Sequence, residues 1–489
     1  MSHCIISKPL THIVNISIQT GNIPDDLKMA RVIPLYKKKS KTDAGNYRPV
    51  SVLSIISKVF ERVVFNQLNK FLTDQNLLYE LQSGFRSSYS TDTCLIHLSD
   101  YIKQESDKGH YTGMVLLDLQ KAFDTVNHGI LLNKLKAIGL NQNSILWFDS
   151  YLTGRKQVTD INGILSDTKG ISCGVPQGSI LGPLLFLIYV NDMTTAVKCK
   201  LLLYADDSAL LVSGKDVSEI EETLSLELES VCEWLTDNKL SLHLGKTESI
   251  LFASKRRLQK FNTLNVVCNG NVIESKPNVT YLGVTLDQSL SGDAIASKVI
   301  SKSSNKLKFL YRNTRKFNLK TKKLLVSALI QCHFDYSCSA WYSGLSKKLK
   351  GRLQVSQNNI IRYLLNAPSR THIGYDEFQL VGLLPVDYRV EQLKLGHMYN
   401  IINGSAPQYM KCQIEMVQHS YNTRSSDLCC KIPIVKSFGS TSFLYTGILK
   451  WNAVPLSIKN CVTKNSFKSE LKKYLHTKLR TQDQNMYVM

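Results

Sequence analysis

The stretch KLLLYADDSALLV, residues 200–212, places two adjacent carboxylates between two apolar runs. The pattern predicts a β-hairpin with Asp206 and Asp207 at or beside its turn. A carboxylate with little access to water either takes up a proton or needs a cation. The alternative is an ordinary surface turn, the common setting of an Asp-Asp pair, but such turns are rarely flanked by apolar runs on both sides. The stretch therefore favours a cation site.

A third acid stands on an earlier predicted strand. Alternation in GMVLLDLQ, residues 113–120, displays Asp118 on one face of a sheet. If this strand neighbours the hairpin, Asp118, Asp206 and Asp207 converge, and hard multivalent cations would neutralise them. Mg²⁺ fits because few carboxylates bind it, together with water and substrate phosphates. Two such ions about 3.5–4 Å apart support in-line nucleotidyl transfer.

The charge balance indicates a polyanionic partner. The 489 residues include 60 Lys and Arg against 39 Asp and Glu, a formal charge of +21. Residues 301–370 hold fifteen of these cations and a single acid, Asp335. A solvated helix face is the alternative, but such faces usually mix signs. The excess therefore favours a nucleic acid or an acidic membrane surface as the partner.

Cysteines and apolar runs exclude other classes. The 12 cysteines form no CxxC pair and no Cys/His cluster with zinc spacing, which predicts reduced cysteines in an intracellular protein. No targeting signal precedes the first helix, and the longest apolar run, ILGPLLFLIYV, is too short to span a bilayer. We therefore expect no membrane partner.

The remaining pattern predicts an α+β body with a helical appendage. An N-terminal helix ends at Gly21, residues 32–53 form a basic hairpin, and Asn162-Gly163 marks another hairpin turn. A Ser218/Glu221 capping box is expected to open a long acidic helix. Past residue 290 the pattern is helical and basic. The buried face of the first helix is predicted to contain Leu10, Ile13, Val14 and Ile18.

Three central motifs resemble those of a known family. YADD at 204–207, LLDLQKAFDTVNH at 116–128 and GVPQGSILGPLLFLIYVND at 174–192 look like the central blocks of a reverse transcriptase of the non-LTR (LINE-type) retrotransposons, jockey-like in particular. Flanking motifs extend the resemblance over most of residues 9–290, and it continues more weakly beyond. The motifs agree with the family in order and spacing, which makes the resemblance specific.

The resemblance implies a right-hand polymerase fold with fingers, a palm containing an antiparallel sheet, and a helical thumb. The N-terminal extension and fingers would occupy residues 1–112, and the palm, with a minor fingers contribution, 113–265. The primer grip and basic thumb would occupy 266–370, and a helical C-terminal region 371–489. Full-length members carry an endonuclease ahead of the polymerase. Since none precedes the first helix here, we expect a 5′-truncated copy or an isolated polymerase segment.

The resemblance assigns the metal ligands and the sugar selector. Asp118 and Asp206 match the principal ligands of two Mg²⁺ ions, for which Mn²⁺ is a substitute, and Asp207 matches a supporting acid. Phe123 matches the steric gate, whose ring excludes a ribose 2′-hydroxyl; a core phenylalanine is the alternative. Asp124 is expected to be a helix N-cap rather than a fourth ligand.

The incoming nucleotide would meet residues from two regions. Lys37 and Arg48 match the fingers cations that hold the triphosphate, although Lys38 and Lys39 leave open which lysine acts. Arg86 is a further candidate, for template or for phosphate.

A loop and a lysine complete the predicted nucleotide site. Gln177 and Gly178 match the loop under the nascent base pair, where glycine permits close backbone approach. Lys246 matches a lysine that protonates pyrophosphate; an exposed lysine before a strand is the alternative.

The primer would be held by two further motifs. Tyr204 is expected to line the primer end, or only to pack. Tyr281, Leu282 and Gly283 match the primer grip. The cations of residues 301–370 fall on the thumb, where sequence-blind phosphate contacts are expected.

The predicted function is RNA-directed DNA polymerisation by two-metal nucleotidyl transfer. The implied partners are an RNA template, a DNA primer or nicked target DNA, and dNTPs. The family implies action in the nucleus and cytoplasm. The alternative is a truncated or domesticated copy that only binds nucleic acid.

Overall fold

The computed structural model describes residues 2–37, 40–314, 316–417 and 428–486. None of the helices described combines the length and apolar composition needed to cross a bilayer. The first elements are α1 (Ser2–Thr20), β1 (Met29–Tyr36), β2 (Tyr47–Val52), α2 (Ile55–Asp74), α3 (Thr91–Lys108), β3 (Tyr111–Asp118), α4 (His128–Ala137) and α5 (Gln142–Leu152). They are followed by β4 (Lys156–Ile161), β5 (Ile164–Leu165), β6 (Lys169–Gly170), α6 (Leu181–Val190), β7 (Lys200–Tyr204), β8 (Asp207–Gly214) and α7 (Val217–Asp237).

Short strands lead into the helical half of the chain. This part of the chain contains β9 (Glu248–Phe252), the short helix α8 (Lys255–Leu258), β10 (Val267–Cys268), β11 (Asn271–Val272), β12 (Glu274–Ser275), β13 (Asn278–Tyr281) and β14 (Val284–Asp287). The helices are α9 (Asp293–Asn313), α10 (Leu319–Val326), α11 (Cys332–Asp335), α12 (Cys338–Trp341), α13 (Lys347–Leu365), α14 (Tyr375–Val381), α15 (Val386–Ile402), α16 (Gln408–Lys411), α17 (Phe443–Asn452), α18 (Leu456–Lys459) and α19 (Lys464–Met486). This distribution confirms the α+β prediction.

Strand β3 lies in the middle of the main sheet, whose order is β12-β9-β3-β8-β7. It pairs antiparallel with β8 on one side and with β9 on the other. β7 and β8 form the predicted hairpin, in which Tyr204 pairs with Asp207. The strand that carries Asp118 is therefore the direct neighbour of the strand that carries Asp207.

Both faces of the main sheet are buried, which explains why its strands are apolar on both sides. One face packs on α3 and the helices from α9 onward, through Met114, Leu202, Ala209, Leu211, Ile250 and Phe252. The other face packs on α4–α7, through Val115, Leu117, Leu201, Leu203, Leu210 and Leu251. Asp118 follows Met114 and Leu116 by strand alternation, so it projects on the first face.

A second sheet forms the N-terminal part of the molecule. Its order is β2-β1-β4-β5, and β6 also pairs with β4. β1 and β2 form the predicted basic hairpin, while β1 and β4 run parallel. Lys38 and Lys39 lie outside the described residues. Asn162 and Gly163 form the predicted β4–β5 turn, both with positive φ, as a type I′ hairpin turn requires.

The N-terminal and C-terminal parts share one core. A single apolar cluster includes Cys94 of α3, Met114 of β3 and Leu475 of α19. The buried Asp100 carboxylate accepts hydrogen bonds from the backbone amides of Phe443 and Leu444, both at 2.7 Å. These amides open α17, where the helix dipole favours a negative charge. The predicted domain borders stay predictions, and this core crosses them.

Two local predictions are wrong. The helix α7 is capped by Asp216, whose side chain accepts a hydrogen bond from the Ser218 amide, and not by a Ser218/Glu221 capping box. Glu221 instead accepts a hydrogen bond from the Asn265 amide at 2.7 Å. On α1, Ile13 is 47% exposed and Ser17 is buried in its place. The reason is that Trp147 of α5 donates a hydrogen bond to the Ser17 hydroxyl, which orients the helix.

Candidate active site

The three predicted acids meet at one end of the main sheet. Asp118 is the last residue of β3 and lies directly opposite Asp207, the first residue of β8. Directly opposed residues of antiparallel strands project on the same face with their Cβ atoms about 4.5–5.5 Å apart. Asp206 occupies the turn between β7 and β8, after Ala205 with a φ of 57°. Strand pairing thus brings together acids that are nearly ninety positions apart in the sequence.

The acids interact electrostatically. Desolvation, followed by the negative charges of Asp206 and Asp118, raises the pKa of Asp207 to about 6. Lys246 places its Nζ 3.0 Å from Asp118 Oδ2 and supplies a positive charge at the site. The backbone also holds this strand end, because the His243 amide donates to the Asp118 carbonyl at 2.8 Å.

The donor set has the chemistry of a hard-cation site. The pKa of Asp207 is raised by desolvation first and then by the charges of Asp206 and Asp118, and a bound divalent cation would favour the charged carboxylate. In the part of the chain that the structure describes, no three His, Cys, Asp or Glu side chains are grouped closely enough to enclose a metal ion as they stand. Oxygen ligands from Asp118, Asp206 and Asp207 nevertheless fit Mg²⁺, which takes few carboxylates and completes its shell with water and phosphate.

Phe123, five residues after Asp118, lies in an aromatic stack. Its ring packs against Phe186 of α6, with centroids 4.4 Å apart and planes inclined by 27°. Phe85 approaches edge-on at 6.3 Å. Phe123 is half-buried, so the stack on Phe186 holds one side of the ring while another side stays accessible. This environment is compatible with both a gate and a packing residue.

Asp124 is not a helix N-cap. Helix α4 starts four residues later, and Asn127 caps it by accepting a hydrogen bond from the Ile130 amide. The Asp124 carboxylate accepts a hydrogen bond from Gln177 Nε2 at 2.8 Å. Desolvation raises the pKa of Asp124, while Gln177 and the nearby charges of Lys121 and Lys37 lower it. The N-cap prediction is wrong because the Asp124 side chain binds Gln177, 53 positions along the chain, and not an amide at the start of α4.

The loop that carries Gln177 and Gly178 is fixed by backbone contacts. The Ser51 amide of β2 donates to the Gln177 carbonyl at 2.7 Å, and the Val175 amide donates to the Phe123 carbonyl at 2.8 Å. Gly178 has a φ of 130°, and a Cβ there would lie 2.3 Å from the Ser51 carbonyl oxygen. The glycine is therefore required where the loop meets the N-terminal sheet.

The two predicted cations of that sheet are exposed on the β1–β2 hairpin. Lys37 follows β1, and its amide donates to the Asn46 carbonyl at 2.9 Å. Arg48 on β2 pairs with Leu35. The charge of Lys37 is close enough to Asp124 to lower the pKa of that acid. Lys37 therefore faces the Phe123–Gln177 side of the site.

Arg86 is engaged inside the protein. Its guanidinium donates to the carbonyls of Tyr79 and Gln82, at 2.7 and 3.1 Å, and lies 4.1 Å from the Tyr89 ring centroid. Desolvation lowers its pKa. These contacts fix the loop between α2 and α3, which favours a structural role for Arg86.

The predicted primer-grip residues form a tight turn. Leu282 and Gly283, with φ of 45° and 78°, connect β13 to β14. Tyr336 donates its hydroxyl hydrogen to the Leu282 carbonyl at 2.7 Å. Tyr281 is buried, and desolvation first, with the charge of Asp207 among the smaller causes, raises its pKa. The turn therefore lies near the acids. Tyr204 is half-buried and pairs with Asp207, so it lies at the same end of the main sheet as the acids.

Two supporting residues were missed in the sequence. Gln82 Oε1 accepts hydrogen bonds from the amides of Gly84 and Ala205, at 2.9 and 3.1 Å, and so supports the acid turn. Glu61 is buried on α2 and accepts from the Ile180 amide at 2.6 Å and from the Tyr151 hydroxyl at 2.8 Å. Glutamate in the middle of an apolar helical pattern was the available signal for Glu61. Nothing local distinguishes Gln82.

Comparison with known proteins gives a consistent set of relatives. The profile of the family described as "Reverse transcriptase (RNA-dependent DNA polymerase)" matches residues 36–286. The chain is 29% identical over 373 residues to the "Probable RNA-directed DNA polymerase from transposon BS" of Drosophila melanogaster, covering 73% of this chain and 40% of the relative. It is 28% identical over 374 residues to the "RNA-directed DNA polymerase from mobile element jockey" of Drosophila funebris, with the same coverage.

A solved structure also shows some likeness. The telomerase of Candida tropicalis in complex with a fragment of telomeric RNA is 14% identical, with a TM-score of 0.39, and the match covers 82% of this chain and 65% of that one. The chain spans about two fifths of the length of the transposon relatives that it matches.

Proposed function

Because the chain belongs to the reverse transcriptase (RNA-dependent DNA polymerase) family, we propose that it adds deoxynucleotides to a primer 3′-hydroxyl on an RNA template, as the polymerase of a non-LTR retrotransposon. The observation that carries the proposal is the pairing of Asp118 with Asp207 next to Asp206. In the terms of the right-hand polymerase fold, the main sheet is the palm and the N-terminal sheet belongs to the fingers. The helices from α9 to α13 would be the thumb.

The acids are proposed to hold two Mg²⁺ ions, with Mn²⁺ as a substitute. Asp118 and Asp206 would be the principal ligands and Asp207 a supporting one. When bound, the ions would favour deprotonation of the attacking hydroxyl and stabilise the leaving pyrophosphate. The raised pKa of Asp207 comes from desolvation first and then from the charges of Asp206 and Asp118. It supports this assignment, since a divalent cation would stabilise the charged carboxylate.

Two lysines and an arginine would contact the phosphates of the incoming nucleotide. Lys37 and Arg48 project from the fingers hairpin, and both are exposed. An arginine fork can bind two phosphate oxygens at once. Lys246, 3.0 Å from Asp118 and half-exposed, is positioned to give a proton to the leaving pyrophosphate.

Phe123 and the loop at Gln177 and Gly178 would shape the nucleotide pocket. The Phe186 stack fixes the Phe123 ring, so a ribose 2′-hydroxyl would meet a rigid surface. Asp124 holds the Gln177 amide, which orients the side chain toward the nascent base pair. Gly178 allows the same loop to lie close against β2, because it has no Cβ to meet the Ser51 carbonyl.

The primer and template would contact the opposite side of the palm. The Leu282–Gly283 turn presents backbone near the acids, while Tyr281 and Tyr204 pack beneath it. The exposed cations of α9 would contact phosphates without regard to sequence. They are Lys298, Lys302, Lys306, Lys308 and Arg312. The thumb cation Arg315 lies outside the described residues.

Primer extension on an RNA template with Mg²⁺ tests the proposal. Asp206→Asn removes one charge from the acid turn and is expected to lower incorporation roughly 10²–10³-fold or more. Affinity for the template–primer duplex should be unchanged. Asp237→Asn, at the exposed end of α7, is the matched control and should keep full activity.

Equal incorporation by the native chain and Asp206→Asn would end the catalytic proposal. Duplex binding without incorporation by the native chain would favour the alternative, a protein that only binds nucleic acid.

A further inference from the structure

Helix α19 carries a basic residue at every fourth position. Residues four apart lie on successive turns and are displaced by about 40° around the helix at each step, so the row winds across the exposed side of the helix. At 1.5 Å per residue the row forms a ridge about 24 Å long. We call it the basic ridge, and its members are Lys464, Lys468, Lys472, His476 and Arg480.

The basic ridge lies beside the row that anchors the helix. Phe467, Leu471 and Leu475 are fully buried, and each precedes a member of the ridge by one position. A step of one residue turns the side chain by about 100°, so the ridge emerges at the edge of the packed face. Its exposed members are Lys464, Lys468, Lys472 and Arg480.

Acidic side chains do not neutralise the ridge. Among the ion pairs of the described residues, Lys473 and Lys478 of α19 have carboxylate partners, whereas no ridge member does. Desolvation and then Lys468 lower the pKa of Lys464, and desolvation and then Lys472 lower that of His476. Like charges four positions apart disfavour a helix. Cations that repel one another in the free protein are expected on a surface that binds a polyanion, because the bound negative charge relieves their repulsion.

The middle of the ridge, at Lys472, lies beside the basic thumb tract. Lys472 Nζ donates to the Gly382 carbonyl at 2.8 Å, and Lys323 Nζ of α10 points to the Leu380 carbonyl at 3.4 Å. Both carbonyls belong to the end of α14. Lys323 and Arg389, after desolvation, lower the pKa of Lys472. The cations of α10, α15 and α19 therefore share one surface.

The N-terminal end of the ridge reaches the loop before α3. Lys464 lines a polar cavity of about 630 Å³ together with Ser88, Tyr89 and Ser90. That loop begins at Gln82, which holds the acid turn through the Ala205 amide. A strand that follows the ridge is thus led toward the end of the palm where the acids lie.

We propose that the basic ridge binds the phosphate backbone of the RNA template outside the polymerase cleft. The identity of the strand rests on the proposed function, since the template is the RNA that such a polymerase copies. The charge and length of the ridge, its exposure and its continuity with the thumb and the loop before α3 carry the proposal. The contacts would be sequence-blind, because lysine and arginine here face no base-reading pocket.

The test measures the affinity of the full chain for single-stranded RNA against salt concentration, between about 50 and 200 mM. The triple variant Lys464→Gln, Lys468→Gln and Arg480→Gln should flatten the slope of log K against log salt by about 2, roughly 0.7 for each lost contact. The affinity at the lowest salt should fall about 10-fold or more.

A matched variant separates the ridge from net charge. Lys136→Gln, Lys215→Gln and Lys260→Gln remove the same three charges from exposed positions elsewhere and should keep nearly the native slope. Equal slopes for the two triple variants would overturn the proposal. Weaker binding of duplex DNA with unchanged RNA binding would also overturn it and assign the ridge to target DNA.

The ridge and the polymerase proposal fail independently. RNA binding is measured without nucleotides, and Asp206→Asn should bind RNA like the native chain. If the native chain incorporates nothing while the ridge variant still loses RNA affinity, the proposed function fails and the ridge stands as an RNA-binding surface.

Discussion

At the scale of single residues, Phe123 shows how a role predicted from resemblance depends on its neighbours. The ring is supported by Phe186 and approached by Phe85. An unsupported ring could rotate away from a ribose 2′-hydroxyl, whereas a stacked one presents a fixed edge. The structure adds the support; the selection of the sugar stays a proposal.

Phe123→Val should weaken sugar selection. The smaller side chain leaves room for the 2′-hydroxyl, so the preference for dNTPs over rNTPs in kcat/KM should fall roughly 10–100-fold. Single-nucleotide extension with dGTP and rGTP measures the ratio. Template–primer affinity should not change, since the substitution removes no charge and the Phe123 ring contacts Phe186 and Phe85. An unchanged ratio in a folded variant would make Phe123 a packing residue.

Asp124 and Glu61 illustrate the limit of residue-level inference. Both are acids whose roles the local pattern misassigned or missed. Asp124 was expected to cap a helix and instead binds Gln177. Glu61 accepts hydrogen bonds from Ile180 and Tyr151, far along the chain. Partners that distant leave no periodic signature.

At the scale of elements, the loop 174–178 connects the N-terminal sheet to the segment that follows β3. Its backbone is bonded to Ser51 of β2 on one side and to Phe123 on the other. Only glycine at 178 permits the approach to the Ser51 carbonyl. This close contact explains the glycine without reference to a nucleotide.

Gly178→Ala should therefore disturb the loop itself. The added Cβ meets a backbone oxygen that cannot move without displacing β2, and we expect a cost of about 1–3 kcal/mol in unfolding free energy. The KM for the incoming dNTP should rise, because Gln177 shifts with the loop. Denaturant unfolding and steady-state kinetics measure the two effects.

Gly170→Ala is the control for this substitution. A Cβ at Gly170 meets nothing within 4 Å, so stability and KM should stay near native values. Equal behaviour of the two variants would show that the contact with Ser51 is not required.

At the scale of the whole molecule, the C-terminal helices pack in the same core as α3 and the main sheet. Lys103 of α3 donates to the Thr441 carbonyl at 3.1 Å, and Asp100 accepts from the first amides of α17. Lys394 of α15 is buried at the same junction and donates to the hydroxyls of Ser343 and Thr446. Burial first, and then the charge of Lys103, lowers the pKa of Lys394 to about 7.

This lowered pKa predicts a pH dependence of stability. Between pH 7 and the unfolded value near 10.4, the unfolded chain binds a proton at Lys394 that the native chain has lost. The contribution of this lysine to unfolding free energy therefore rises with pH, by about 1.4 kcal/mol per unit. Lys394→Met lacks the rise, so its stability relative to the native chain should fall from pH 7 to pH 10.

Denaturant unfolding at several pH values measures that difference. Lys473→Met, which removes an exposed lysine of α19, should give a curve parallel to the native one. A parallel curve for Lys394→Met as well would contradict the lowered pKa.

The amino-acid sequence by itself determined the elements and predicted which acids form the candidate site. Alternation placed Asp118 on a strand, the paired apolar runs placed Asp206 and Asp207 at a hairpin turn, and Asn162-Gly163 marked its own turn. These signals succeed because strand alternation and tight turns are set by near neighbours in the chain. The family motifs then assigned roles that the pattern alone leaves open.

Only the tertiary structure decided which distant residues meet. Pairing and packing across the chain set the register that places Asp118 opposite Asp207 and the bond between Asp124 and Gln177. They also set the engagement of Arg86 within its own loop and the packing of α19 in the same core as the main sheet. Such contacts are chosen by the burial of both sheet faces and by the need to satisfy buried polar groups. Those requirements belong to the folded molecule as a whole, so no short stretch of sequence contains them.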